Sequence, residues 1–96
     1  MSSPGLDHIV AEFEQYSNDL KTTRMRVIAM PHNEYKSQLL QAIDAWGSSY
    51  YDLKKHNRYG DLNTIASLGA RYQNIQAIAF HLETGGETQG VLPTGQ

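Results

Sequence analysis

Asn33-Glu34-Tyr35-Lys36-Ser37-Gln38-Leu39-Leu40-Gln41-Ala42-Ile43-Asp44-Ala45-Trp46-Gly47-Ser48-Ser49-Tyr50-Tyr51-Asp52-Leu53 decides the fold. Within it Tyr35, Leu39, Leu40, Ile43, Trp46, Tyr50 and Leu53 recur at steps of three and four. That spacing gathers side chains on one face of an α-helix. Asn33 stands in front as an N-cap residue, whose side-chain oxygen accepts from a first-turn N–H. The spacing predicts a helix over 33–57, ending near Asn57 with Gly60 relieving the turn.

Towards the N-terminus the same period runs through Leu6, Ile9, Val10, Phe13, Tyr16 and Leu20, then Val27 and Ile28. Ser3 followed by Pro4 reads as a cap with proline at the first helical position, and Asp7 suits the positive helix end. Pro31 closes this helix, because a residue preceding proline avoids the α region. Towards the C-terminus Asp61 caps a third stripe of Leu62, Ile65, Leu68, Tyr72, Ile75, Ala79 and Leu82, stopped by Gly85-Gly86. Residues 84–96 hold four glycines and no stripe, which reads as a flexible C-terminal tail. No strand alternation and no internal repeat is visible. The expected fold is all-α: an elongated three-helix up-down-up bundle over residues 1–83, with helices at 4–29, 33–57 and 61–83.

Ninety-six residues and 10.8 kDa make room for one small domain. The absence of cysteine removes disulfides, thiolate metal sites and cysteine nucleophiles. Eight basic residues against ten acidic ones argue against a domain built mainly to grip a nucleic-acid backbone. No basic n-region with an apolar core opens the chain, and no run approaches a membrane span. A place in the cytoplasm, or within a viral particle or other assembly, is the expectation. Ser, Thr, Asn and Gln together number 25, exceeding the 18 charged residues. Amides and hydroxyls cost less to desolvate than charges, and six of the nine aromatics are tyrosine, a residue enriched at interfaces.

Chemistry-bearing patterns are few. His8, His32, His56 and His81 are spaced so that an up-down-up bundle places two at each end, below the three or four ligands of a zinc site. Ser48, Asp52 and His56 share one helix face, but a triad needs its base between nucleophile and carboxylate, and here Asp52 intervenes. Glu12 and Glu14 point to different sides of a helix, and Gly85-Gly86 precedes no helix that would complete a phosphate loop. No catalytic residue, metal ligand or cofactor is expected.

Two binding readings remain. Ile78 and Phe80 fit the third core stripe poorly and, with Tyr51, form a candidate apolar strip on the outside. Val91 and Leu92 are the only large apolar residues of the tail and join the strip as candidate partner contacts. This points to a non-enzymatic protein–protein interaction or assembly subunit, a homo-oligomer or part of a larger assembly. A virion or appendage component and a small adaptor or inhibitor both fit. The alternative is a nucleic-acid-binding module, in which Lys54, Lys55 and Arg58 hold a phosphate backbone and Tyr59 stacks a base. A basic cluster is also what the negative end of a helix favours.

Overall fold

Asn33 and Asp61 start two of the three helices by the same device. Asn33 is extended (φ −163°, ψ 141°), and its side chain accepts from the Tyr35 N–H at 2.6 Å. Asp61 accepts from the Thr64 N–H at 3.3 Å and from the Thr64 hydroxyl at 2.8 Å. Each satisfies a first-turn donor that lacks an intrahelical partner. They open α2 (Glu34–Lys55) and α3 (Leu62–Glu83), which follow α1 (Pro4–Ala29). The structure is a computed structural model and describes residues 4–84. The expected Ser3 cap, the Gly85-Gly86 stop and the tail beyond residue 84 lie outside those residues.

The helix ends are held by side chains from elsewhere. The Lys36 ammonium, on the first turn of α2, donates to the Ile28 and Met30 carbonyls at 2.9 and 2.7 Å, capping the end of α1. Helix α2 stops at Lys55, two residues before the expected end. The reason is Asn57, which takes a left-handed conformation at φ 52°. With it, the Asn57 N–H donates to the Lys54 carbonyl and the Arg58 N–H to the Leu53 carbonyl, at 3.1 and 2.9 Å. That pair of bonds is the Schellman closure, and asparagine tolerates the left-handed region better than other non-glycine residues. Gly60 does not adopt that region, so the turn relief expected of Gly60 falls to Asn57.

Long-range contacts fix the topology. Between α1 and α3, Tyr16 meets Tyr72, Thr23 meets Gln76 and Arg26 meets Glu83, so residue numbers rise together and the helices run parallel. Between α1 and α2, Glu14 meets Tyr50 and Arg24 meets Asp44, so numbers rise against each other and the helices are antiparallel. All three helix pairs pack, giving an up-down-up bundle measuring 50 × 27 × 16 Å.

Trp46 occupies the centre of the core at 1% exposure, with Val27, Leu53 and Leu68 buried as deeply. Its indole N–H donates to the Leu68 carbonyl at 2.8 Å, so the one polar atom of this ring is satisfied. Phe13 stacks nearly parallel to it, with ring centroids 6.3 Å apart. The stripes thus describe the core well at mid-helix and less well at the ends. Leu6, Ile28 and Tyr35 belong to the stripes by spacing yet are exposed, because the neighbouring helices give out at the terminal turns; Leu62 is exposed because two steps of three back from Leu68 carry it off the core face.

Candidate interaction surface

Two hydrogen-bonded seams use up much of the polar chemistry. Between α1 and α3, the fully buried Thr23 hydroxyl donates to the Gln76 side-chain oxygen at 2.8 Å, and the Tyr72 hydroxyl donates to Asp19 at 2.8 Å. Tyr16 stacks on Tyr72 with centroids 3.9 Å apart and donates its hydroxyl to Glu12 at 2.8 Å. Between α1 and α2, the Tyr50 hydroxyl donates to Glu14 at 2.8 Å and lies 3.4 Å from the Tyr59 hydroxyl. Burial, with help from Tyr59 and the Glu14 carboxylate, pushes the Tyr50 hydroxyl well above its ordinary range. The Lys54 ammonium at 2.8 Å and the Tyr50 hydroxyl hold Glu14 below the usual carboxylate range.

The basic turn is largely neutralised from within. Lys54 pairs with Glu14, and Arg58 pairs with Asp61 at 2.7 Å and lies 3.8 Å from Asp52. Lys55 sits over the Tyr51 ring at 6.0 Å. Tyr59, expected to stack a base, is buried at 7% exposure. The Schellman closure at Asn57 turns the chain back and carries the ring into the core, where its hydroxyl meets Tyr50. The nucleic-acid reading therefore loses its stacking ring. Among the described residues no group of three or more metal-ligating side chains gathers.

The expected apolar strip does not form as one surface. Tyr51 and Phe80 are exposed, at 66% and 62%, but Ile78 is partly buried and packs on the core. Helical geometry explains the separation: Ile78 lies near the Ile75 and Leu82 side of α3 and faces α2, whereas Phe80, one turn from Gln76, faces the α1 flank. Antiparallel packing of α2 on α3 then sets Tyr51 level with the start of α3 and Phe80 level with the start of α2. They are about 20 Å apart along the bundle at ~1.5 Å per residue. Val91 and Leu92 lie outside the described residues.

What the strip reading missed is Leu62. It is 72% exposed and stands eighteen residues before Phe80, a whole number of turns at ~3.6 residues each, so the two share one line along α3. From Leu62 to Phe80 the only charged residue is Arg71, which is half-buried. Every exposed position between them is Ala, Ser, Asn or Gln. The signal was present in the sequence as a nineteen-residue helix with a single charge. A cleft of about 320 Å³ at the other end of the bundle is lined by Arg26, Met30, Pro31 and Lys36 among others, with Arg26 and Lys36 already committed to Glu83 and to backbone carbonyls. A scan against protein-family models and searches of curated proteins and of solved structures each return no match.

Proposed function

We propose that this chain is a non-enzymatic helical subunit that works through protein–protein contact, as a homo-oligomer or as one component of a larger assembly. A virion or appendage component, or a small adaptor or inhibitor, is the context this reading admits. The observation that carries it is the outside of α3. Leu62 and Phe80 expose 72% and 62% of their surface, and no exposed position between them bears a charge. Two large apolar side chains at the ends of a face that is cheap to desolvate support a reading in which another chain covers it. Light scattering across a concentration series tests the reading. The mass of the native chain should rise above 10.8 kDa with concentration. A monomer at every concentration contradicts self-assembly.

A further inference from the structure

We propose that Glu14, Tyr50 and Tyr59 form an acid-sensitive latch, through which the charge of one α1 carboxylate holds the turn after α2 closed. Three elements meet there: Glu14 stands on α1, Tyr50 on α2 and Tyr59 in the turn that leads to α3. One carboxylate oxygen of Glu14 accepts from the Tyr50 hydroxyl and from the Lys54 ammonium, each at 2.8 Å. Lys54 also lies over the Tyr50 ring, 5.5 Å from its centroid. The Tyr50 hydroxyl has a single proton and gives it to Glu14. Its oxygen is thereby left as the acceptor for the Tyr59 hydroxyl at 3.4 Å. Tyr50 and Tyr59 are both buried, so the relay runs from a half-exposed carboxylate into the core.

Ionised Glu14 makes charge-assisted bonds to both α2 side chains, and a proton on it removes that assistance and the pull on Lys54. Tyr59 then loses the polarised acceptor of its buried hydroxyl. The Tyr59 ring is carried inward by the closure at Asn57, in which the Asn57 N–H donates to the Lys54 carbonyl and the Arg58 N–H to the Leu53 carbonyl. Weakening at Tyr59 therefore loosens those two bonds. The groups facing Glu14 are Lys54 and Tyr50 from α2, Tyr59 by way of Tyr50, and Lys21 from its own helix. Among the described residues α3 contributes no charged group to it. Asp52 and Asp61, near the same turn, are paired with Arg58. A carboxyl held low in the folded chain stabilises the fold at neutral pH, and that contribution is lost as pH falls through the folded value. The latch is closed at neutral pH and opens in acid, where the loosened turn also gains the unpaired charge of Lys54.

A double-mutant cycle of native chain, Glu14→Gln, Tyr59→Phe and the double variant tests this, read by NMR as amide protection at Asn57 and Arg58 against the core amide of Trp46. It is run at pH 6 and again where the Glu14 carboxyl carbon shift reports a protonated group. Titration of Asp61 and His56 is common to all four chains and cancels. At pH 6 each single variant should lose about threefold in protection at the turn, the scale of one half-exposed ion pair, and the double variant no more than either. In acid the native chain should match Glu14→Gln. Independent losses that multiply in the double variant at pH 6, no loss at the turn, or an equal loss at Trp46 each overturn the latch, and the pH 6 cycle decides even where acid unfolds the chain. A Glu14→Gln deficit of the same size at both pH values also overturns it.

Discussion

Helices α2 and α3 have the same length, 22 residues, and use their outsides in opposite ways. The outside of α2 leaves Tyr35 and Tyr51 exposed, and several of its charges are paired within the chain. Asp44 holds Arg24, Lys54 holds Glu14, and Asp52 lies 3.4 Å from His56. The outside of α3 carries no charge between Leu62 and Phe80, and its apolar ends face water. On their inner sides the two helices are alike: α2 buries Trp46, Tyr50 and Leu53, and α3 buries Leu68, Tyr72 and Ile75. The difference lies in charge: both helices leave large side chains in water, Tyr51 on α2 and Leu62 and Phe80 on α3, but only α3 exposes no charge between them.

The comparison breaks most readily at Trp46. Truncating it to alanine should cost roughly 3–5 kcal/mol, since the ring is fully buried and its N–H is satisfied. Urea denaturation measures this, and a loss below about 1 kcal/mol would place Trp46 outside the core. Within α3 the two sides can be set against each other. Ile75→Ala should cost roughly 2–4 kcal/mol, because Ile75 is 3% exposed. Phe80→Ala, at 62% exposure, should stay within about 0.5 kcal/mol in dilute monomer. Equal losses at both positions would mean that α3 has no free side.

Smaller effects test how α2 is completed. Asn57→Val forces a β-branched residue into the left-handed conformation and should cost about 1–2 kcal/mol, while Asn57→Gly should cost nothing. Identical melting points for the two variants would count against the Schellman closure. Least of all, Gly47→Ala on the exposed side of α2 should add roughly 0.5–1 kcal/mol, because nothing lies within 4 Å of the new methyl. A loss of stability there would reveal a neighbour at this position.

How much of this was legible in the sequence depends on the range of the interaction concerned. Helix positions and the Leu39–Ile43–Trp46–Tyr50–Leu53 stripe were readable because caps and a 3.6-residue period are local properties. The end of α2 was misplaced because two residues, Asn57 and Gly60, both suit a left-handed turn and only tertiary packing chooses. Tyr59 was read as a surface ring since it lies outside any stripe; its burial depends on Tyr50, nine residues away across the turn. The Thr23–Gln76 and Asp19–Tyr72 bonds join residues 53 apart, which no local pattern announces. Ile78 and Phe80 look alike as residues off the stripe, yet one packs on the core and the other faces water.

The central claim is that the uncharged outside of α3 exists to be covered by another chain. Light scattering of the native protein beside Phe80→Asp, from low to hundreds of micromolar, tests it most directly. The account predicts a native mass rising from 10.8 kDa towards its double, and a variant that stays at 10.8 kDa with the same helix content. Native and variant proteins that remain monomeric alike, or associate alike, would contradict self-assembly through this face.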